Sequence, residues 1–275
     1  MGQLVHTLPE GLSVSGVTLL AGEIYLLRPK GRRDQVEVYD VVTYCLQRRL
    51  TVPNARGVAD MTSCEHNCSV YISDHTGKCV HRLGVQGAVT RWTVNDTPCG
   101  LSVNAAHNVI VTCRDVRRVK EFSSRGDLLR ELMLPVDVIH PYHAIQTRSG
   151  QFIVCYGDRD DPVHRVCMMS DDGRHIVHSY GGQRGSDTDQ SGWLVHLAFD
   201  DNEFVFVADF INRRVTLLSP TLEYVRQVVL GLHDQLKCRP FRLCLDRQRK
   251  QLFVAENEWN DEHERIAGRV ILCGV

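Results

Sequence analysis

The sequence has few lysines, no long hydrophobic run and almost no net charge. Of its 32 basic residues only five are lysine, and the formal net charge is −1. A chain this close to neutral is not expected to coat DNA, because that task selects an excess of positive charge. No apolar run approaches the roughly 18 residues that a membrane span needs, and the chain shows no signal segment at its start. We therefore expect binding to neither DNA nor membranes.

A disulfide framework is not expected either. The chain has eleven cysteines, an odd number, and many of them stand inside apolar runs such as "TYCL", "IVCY" and "VCMM". A free thiol in such a run behaves as a small hydrophobic side chain. The cysteine pattern therefore favours free thiols in a reducing compartment, and predicts a cytoplasmic location.

Familiar catalytic and metal-binding motifs are absent from the sequence. It contains no GxSxG, HExxH, Walker A or Rossmann fingerprint. The stretch "CEHNC" offers the soft ligands Cys64, His66 and Cys68, but a fourth zinc ligand at the usual spacing is missing. We interpret this stretch as a turn, and expect no metal and no cofactor.

What the sequence does contain is a repeat. Residues 203–229, "EFVFVADFINRRVTLLSPTLEYVRQVV", show three short runs rich in β-branched and aromatic residues, separated by polar turns, and "HLAFD" precedes them. Runs of this length and composition are typical of β-strands. The pattern predicts a four-stranded antiparallel meander.

The same order recurs along the chain. The first apolar residues of the copies are Leu12, Val58, Leu101, Ala144, Leu197 and Leu243. Their spacing is about 45 residues, the length of a four-stranded propeller blade. The last copy lacks its outer strand, and residues 3–8 resemble one, so we expect them to complete it and to remove the exposed sheet edges. The predicted fold is an all-β, six-bladed β-propeller of four-stranded antiparallel blades, closed by the N-terminal strand.

The predicted blades fill the whole chain as a single domain. They span about 10–53, 54–96, 97–139, 140–190, 191–237, and 238–275 together with 1–9.

One copy carries a recognisable motif. Residues 180–229 resemble an NHL repeat in their Gly-rich lead with Gln190, the strand "VFVAD", the Asn-Arg-Arg-Val turn and the outer strand. Residues 70–83 and 109–122 are similar but degenerate, with Cys113 where the fifth copy has Asp209. The resemblance implies a propeller like those at the C-terminus of tripartite-motif (TRIM) ubiquitin ligases and translational repressors. Any ligase activity would lie outside this chain.

The turn in that motif is interpreted mainly as a structural feature. Asp209 and Asn212 suit a tight turn because their side chains bond nearby backbone N–H groups. Arg214 is expected to pair with Asp209 or with a neighbouring blade, while Arg213 is expected to face solvent.

A candidate binding surface lies where the inner strands begin, on the face that also holds the turns between second and third strands. A ring of aromatic and cationic residues is predicted at the pore mouth, namely Arg56, Tyr142, His143, His196, Phe241 and Arg242. The turns add His75, Lys78, Arg117, Arg118 and Arg213.

Aromatic faces beside arginine suit the bases of single-stranded RNA, and the same groups suit a peptide carboxylate. In NHL propellers that read RNA this face is the one used, so the resemblance supports the site. The prediction is a non-catalytic module, not an enzyme, that binds a protein, a peptide or single-stranded RNA and is monomeric as an isolated domain.

The alternative is a metal-dependent hydrolase or lyase. His140, His143 and His196 are predicted to approach the propeller axis, where three imidazoles would hold a catalytic zinc ion. Arg242 takes the next equivalent position, and the remaining three are the glycines 11, 57 and 100. The acids that close the inner strands, Asp60, Asp200 and Asp246, are interpreted as turn formers. The predicted ring therefore lacks the acids that a calcium site needs.

Overall fold

The computed structural model describes residues 4–29, 35–183, 185, 187, 190–228, 238–259 and 265–275. Across these residues the regular secondary structure consists of 24 β-strands in six four-stranded antiparallel sheets. No helix in the described part of the chain has the length and apolar character required to cross a bilayer. The architecture is an all-β, six-bladed β-propeller, as the repeat predicts.

Each sheet is one blade, and its innermost strand lies next to the axis. The six innermost strands are β2 (Gly16–Leu20), β6 (Val58–Cys64), β10 (Pro98–Val103), β14 (Pro141–Gln146), β18 (Leu194–Phe199) and β22 (Cys238–Asp246). Each contacts the innermost strand of the next blade, and β22 returns to β2, so the ring is closed.

The second and third strands carry most of the core. The second strands are β3 (Glu23–Arg28), β7 (Ser69–Asp74), β11 (Val109–Cys113), β15 (Phe152–Tyr156), β19 (Val205–Asp209) and β23 (Gln251–Trp259). The third strands are β4 (Gln35–Asp40), β8 (Cys79–Gly84), β12 (Arg118–Phe122), β16 (Val163–Met169), β20 (Arg214–Leu218) and β24 (Arg265–Gly274). The outer strands are β5 (Leu46–Thr51), β9 (Val89–Thr93), β13 (Leu128–Met133), β17 (Ile176–Gln183), β21 (Tyr224–Val228) and β1 (Leu4–Thr7).

The N-terminal strand closes the ring. Strand β1 pairs with β24 in antiparallel register, with Leu4 opposite Cys273 and Thr7 opposite Ile271. The sixth blade therefore has the order β1-β24-β23-β22, and its outer edge comes from the start of the chain. The prediction of closure is confirmed, over residues 4–7 of the expected 3–8.

The blades are held together by apolar side chains between neighbouring sheets. Both faces of a second strand are covered, so β19 is buried along its whole length, and its "VFVAD" sequence has no polar–apolar alternation. The outer strands are exposed on one side, and in β5 exposed and half-buried residues alternate from Gln47 to Thr51. The core clusters span adjacent blades, which fixes the blades around the axis.

Five of the inner strands contain a register shift near their start. In β6 the shift lies between Val58 and Asp60, in β14 between Pro141 and His143, and β10, β18 and β22 have the same irregularity. A bulge of this kind adds a residue to one strand and turns the side chains near it. Here it determines which side chains point to the axis.

Candidate functional site at the propeller axis

The residues that follow the bulges occupy equivalent places. His143, His196 and Arg242 each follow the register shift of their strand, and they lie opposite Cys155, Ala208 and Ala255 of the second strands. Asp60 lies opposite Ser73 in the same way. With the glycines at the corresponding positions of the first and third blades, they form the axial ring: Gly16, Asp60, Gly100, His143, His196 and Arg242.

A glycine in the ring makes room for an imidazole. A Cβ at Gly100 would lie 2.8 Å from Cδ2 of His143 and 2.4 Å from the carbonyl oxygen of Tyr142, closer than side-chain atoms approach. His143 can therefore lie across the third blade only because that position has no side chain. Its Nε2–H donates to the carbonyl oxygen of Leu101 at 2.8 Å.

The carboxylate of Asp60 is the charge at the centre of the ring. It is completely buried, and Oδ1 lies 2.8 Å from Nε of Arg242. This contact is an ion pair without hydrogen-bond geometry, since neither atom has a hydrogen-bond partner. The guanidinium instead donates to the carbonyl oxygens of Ala59 and Phe241. Asp60 Oδ2 accepts from the backbone N–H of Leu101 at 2.9 Å.

Two imidazoles flank that carboxylate. The ring centres of His143 and His196 are 3.9 Å apart, and Nε2 of His196 lies 3.5 Å from Oδ2 of Asp60. The backbone N–H of Leu243 donates to Nδ1 of His196. Because Nδ1 accepts a hydrogen bond, neutral His196 carries its proton on Nε2, the nitrogen that faces Asp60.

Burial sets the charges of this group. It lowers the pKa of His143 to about 3, assisted by the neighbouring His196, and it also lowers the pKa of His196. Both rings are therefore neutral at neutral pH. Burial alone would raise the pKa of Asp60, but Arg242 outweighs it and holds this pKa well below its ordinary value. The ring contains one carboxylate, one guanidinium and two neutral imidazoles.

A cavity reaches these residues along the axis. Its volume is about 150 Å³, and both His143 and His196 line it. Thr18, Ser63 and Ser102 supply hydroxyl groups to the same wall. A channel of this size admits a small polar group or a few water molecules, and it ends at the imidazoles.

Metal binding in the ring meets the distance requirement but not the chemistry. One ligand atom each from Asp60, His143 and His196 fits within 4.8 Å of the others. However, Nδ1 of His196 accepts an N–H, so its Nε2 holds a proton and not a free lone pair, and a metal-bound histidine normally donates from its second nitrogen. Arg242 already balances the Asp60 charge. As arranged, these residues fit proton transfer and do not fit a metal ion.

The predicted binding residues divide into a buried and an exposed group. Tyr142, His143, His196, Phe241 and Arg242 are buried, and of these His143 and His196 are in ring contact at the axis. Tyr142 donates to Oδ1 of Asp158 at 3.0 Å, and Phe241 lies under the guanidinium of Arg242. No observation tests whether this set binds a ligand, which stays a prediction.

The exposed group lies on the entry face, which we define as the face where the inner strands begin. Arg56, His75, Lys78 and Arg213 are exposed there. Arg117 is half-buried and donates to the carbonyl oxygen of Val136.

One predicted binding residue, Arg118, already forms ion pairs within the protein. Arg118 lies 3.1 Å from Oε1 of Glu131 and 3.8 Å from Oδ2 of Asp96. Its charge is thus largely balanced within its own blade.

The turn of the fifth blade is structural, as predicted. Oδ2 of Asp209 accepts from Nδ2 of Asn212 and from Nε of Arg214, and Oδ1 accepts from the backbone N–H of Gly192. Arg214 is buried, whereas Arg213 is exposed with a positive φ of 54°.

Two other predictions about histidine are now resolved. His140 is not at the axis: its side chain is 45 % exposed and pairs with Asp161 at 2.8 Å. The "CEHNC" stretch is a turn between β6 and β7, where Cys64 lies 3.8 Å from Nδ1 of His107, and His66 stacks on the same ring.

The prediction that the ring lacks an acid is wrong, because Asp60 belongs to it. The repeat spacing aligns Val58 with Ala144, but the equivalent of Ala144 is Met61. Asp60 therefore does not close its strand as Asp246 does. The signal was present in "VADM", where an acid precedes an apolar residue as His143 precedes Ala144.

The first copy is displaced in the same way. The equivalent of Ala144 there is Val17 and not Leu12, so Gly16 takes the place predicted for Gly11.

Two aromatic residues of the entry face were also missed. Trp193 packs edge-on against Tyr142, with ring centres 5.4 Å apart, and against Phe210 at 5.0 Å. Phe210 in turn contacts Phe241 and lies under the guanidinium of Arg239. These side chains form a mostly buried aromatic cluster across three blades, in which Phe210 is 3 % exposed.

No family model and no curated protein matches the chain, but solved structures do. Virginiamycin B lyase from Staphylococcus aureus covers 97 % of this chain and 98 % of its own length at 11 % identity, with a TM-score of 0.64. A catalytically inactive histidine-to-alanine variant of that lyase with quinupristin covers 100 % and 98 % at 11 % identity, with a TM-score of 0.65. A protein of unknown function from Bacteroides caccae covers 89 % and 85 % at 14 % identity, with a TM-score of 0.63.

These matches correct the prediction that the chain is not an enzyme. Solved structures that align with nearly the entire chain are named as lyases, so this fold carries catalysis in those proteins. The likeness supports the six-bladed fold, and it brings no evidence for an NHL or TRIM assignment. At 11 % identity it shows the fold alone.

Proposed function

We propose that this protein is an enzyme of the lyase or hydrolase class that acts at the axial ring. The observation that carries the proposal is the placement of Asp60 beside two neutral imidazoles at the end of a channel cavity. Perturbed titratable groups that converge in a cavity are characteristic of acid–base catalysis. The similarity to propeller lyases supports the same class.

His143 is the proposed proton acceptor. Its Nε2–H is held by the carbonyl oxygen of Leu101, which leaves the lone pair on Nδ1, a buried atom without a hydrogen-bond partner in the described structure. The lowered pKa of His143 keeps this lone pair free of a proton at neutral pH. It also makes the imidazole a weak base, so the substrate proton must itself be acidic.

Asp60 is proposed to stabilise the protonated form of His143, because its carboxylate lies 3.9 Å from Nε2 of that ring and a carboxylate stabilises an imidazolium. Arg242 holds Asp60 ionised, and neutral His196 orients its Nε2–H toward the same carboxylate across 3.5 Å. In an elimination the proton that His143 takes from the substrate then passes to the leaving group, while in a hydrolysis His143 takes a proton from the attacking water and passes it to the leaving group.

The test is turnover of a panel of small esters, whose size suits the cavity of about 150 Å³, and quinupristin is added because it is present in a similar structure. Mass spectrometry separates the two classes, since a hydrolase adds one water to its products and a lyase does not. We expect His143→Gln to lower kcat by about 10²- to 10⁴-fold. His140→Gln is the matched control, because His140 belongs to the same blade and lies outside the ring.

A pH profile gives a second readout. An ordinary catalytic histidine loses activity as the pH falls through 6.5. The pKa of about 3 for His143 predicts instead a flat acid limb from about pH 8 to pH 5. Failure of the wild-type protein to convert any ester in the panel, or full activity of His143→Gln, would contradict the proposal.

A second candidate function is the binding of an acidic ligand on the entry face. Arg239 has a lowered pKa, first because it is buried and then because Arg213 and Arg159 lie near it. This cluster of cations lies beside Trp193, whose partly exposed ring packs on the buried Phe210, and it suits single-stranded RNA and also an acidic peptide.

Binding of a fluorescent single-stranded RNA pool, compared with an acidic peptide, tests this second function. RNA binding should weaken steeply as salt rises, because phosphate contacts release counterions. Arg213→Ala should reduce that salt dependence by about one counterion. Lack of binding to both probes at about 100 mM salt would remove this candidate.

A further inference from the structure

The second blade contains a group of three different metal-binding side chains. Asp74 ends β7, Cys79 begins β8, and His81 lies two residues later on the same face. All three are buried, with exposures of 0 %, 4 % and 1 %. One ligand atom from each lies within 4.8 Å of the others.

The separations agree with a tetrahedral ion. Sγ of Cys79 is 3.5 Å from Nε2 of His81, and the same nitrogen is 3.3 Å from Oδ2 of Asp74. Zinc binds thiolate sulfur at about 2.3 Å and nitrogen or oxygen at about 2.0–2.2 Å. At tetrahedral angles those bond lengths place sulfur and nitrogen about 3.5 Å apart, and nitrogen and oxygen about 3.3 Å apart.

Hydrogen bonding alone does not satisfy this group. Nε2 of His81 faces both the carboxylate and the thiol, but a single N–H can be directed at only one of them. Nδ1 of the same ring is buried and has no partner within the described residues. A cation between the three ligand atoms would use the Nε2 lone pair, and would satisfy the sulfur and the carboxylate together.

Asp74 accepts from three backbone N–H groups, but it lacks the arginine that balances the acid in two other blades. In the fifth blade Arg214, opposite Asp209 in the register, pairs with it at 3.0 Å. In the sixth blade Arg269, opposite Glu256, pairs with that acid at 2.9 Å. Opposite Asp74 stands Cys79, which carries no positive charge.

We propose that Asp74, Cys79 and His81 form a structural site for a thiophilic divalent cation, with Zn²⁺ as the best fit. Three protein ligands bind the ion, and water completes the tetrahedron. On binding, the Cys79 thiol releases its proton to solvent, and neutral His81 carries its proton on Nδ1. The ion joins the end of β7 to the start of β8.

The thiol chemistry is consistent with a metal-dependent charge. Burial, and then the charge of Asp74, raise the pKa of Cys79. Without an ion the sulfur therefore stays protonated at neutral pH, and a bound cation reverses this by stabilising the thiolate. Nδ1 of His81 would lack the outer hydrogen bond that commonly orients a zinc-bound histidine, so we expect moderate affinity.

The experiment is a titration of the metal-free, full-length protein with Co²⁺. A thiolate bound to Co²⁺ gives a charge-transfer band in the near ultraviolet, together with visible bands of tetrahedral Co²⁺. We expect both bands to saturate at one equivalent and to disappear when Zn²⁺ is added. Cys79→Ser should abolish the charge-transfer band, and His81→Gln should weaken binding at least tenfold.

Cys64→Ser is the matched control. Cys64 is also buried and also lies beside a histidine, at 3.8 Å from His107, but no carboxylate completes a group of three there among the described residues. This variant should keep the band. Absence of the band in the wild-type protein, or its loss in Cys64→Ser with retention in Cys79→Ser, would overturn the proposal.

X-ray absorption at the zinc edge of the wild-type protein needs no variant to fold. We expect one sulfur and three nitrogen or oxygen neighbours, and a first shell without sulfur would overturn the site. The axial ring contains no sulfur ligand, so this result is independent of the proposed catalysis. Turnover at the axis can fail while the zinc site stands, and the reverse is equally possible.

Discussion

The turns of the second and fifth blades begin with the same residue and then diverge. Asp74 and Asp209 each end a second strand, and both are buried. Opposite Asp74 the third strand begins with Cys79, and opposite Asp209 it begins with Arg214. The strand register is the same in both blades, but the residue opposite the buried acid differs.

The surroundings of the two carboxylates differ accordingly. Asp74 accepts from the backbone N–H groups of Arg56, Gly57 and Gly77, and these bonds outweigh burial and lower its pKa. Asp209 accepts one backbone N–H, from Gly192. For Asp209 burial outweighs the opposing effects of Asn212 and Arg214 and raises the pKa.

The repeated blade tolerates different residues at the end of its second strand. The fold does not require an acid at this place, since the second strands of the third and fourth blades end in Cys113 and Tyr156. Where an acid is present, the residue opposite it varies. The fifth blade has an arginine there, whereas the second blade has a thiol with an imidazole two residues later.

Asp209→Ala should produce the largest loss of stability. It leaves Arg214 buried without its carboxylate, and breaking a buried ion pair costs about 3–5 kcal/mol. Urea unfolding measures the change, with Asp172→Ala as the control, since Asp172 serves an exposed turn. A loss below about 1 kcal/mol would show that Asp209 and Arg214 do not act as a pair.

Zinc should stabilise the second blade and not the fifth. With free Zn²⁺ at about 100 times its dissociation constant, the folded protein gains about 2.7 kcal/mol, or about 5 °C in melting temperature for a chain of this size. Cys79→Ser should lose the gain, while Asp209→Asn should keep it. An equal gain in the Cys79 variant would place the ion elsewhere.

The buried imidazole of His143, beside Asp60, predicts that the folded protein loses stability in acid. The pKa of His143 is about 3, below the ordinary 6.5. As the pH falls below 6.5, this histidine is protonated in the unfolded chain but stays neutral in the folded protein. The free energy of unfolding that is present at neutral pH is therefore lost progressively toward pH 3.

The expected slope is about 1 kcal/mol per pH unit for one such proton. Urea midpoints between pH 7 and pH 4 measure it, and His143→Asn should flatten the curve. A midpoint that stays constant in the wild-type protein down to pH 4 would mean that the ring accepts protons freely.

Much of this fold was predictable from local patterns. The period of about 45 residues identified the blades, because blade length depends on strands that are contiguous in sequence. The strand missing from the last copy then identified the closure of the ring by the start of the chain. The pairing of Asp209 with Arg214 was predictable too, since both lie in one turn.

The candidate sites were less accessible to sequence reasoning. Asp60 reaches the axis through a bulge, and an extra residue in one strand cannot be recognised from alternation alone. His81 lies close to Asp74 because both belong to one hairpin. What distinguishes this hairpin is that Cys79 stands where the fifth blade has Arg214, and this can be recognised only from the strand register of the two blades. The equivalence of blades in space was needed for both.

Replacing two residues of the second blade by their fifth-blade equivalents should produce the smallest change in stability, and it compares the two turns most directly. The double variant Cys79→Arg with His81→Thr places in the second blade the residues of the fifth, where Arg214 lies opposite Asp209 and Thr216 follows two residues later. If the two turns differ only in how the acid is balanced, the new arginine pairs with Asp74 and stabilises the metal-free protein by about 1 kcal/mol. Zinc should then have no effect on its melting temperature, and Cys64→Ser again serves as the unaffected control. A variant that is strongly destabilised would mean that the second blade is built around the small thiol, and that charge balance is not what separates the two turns.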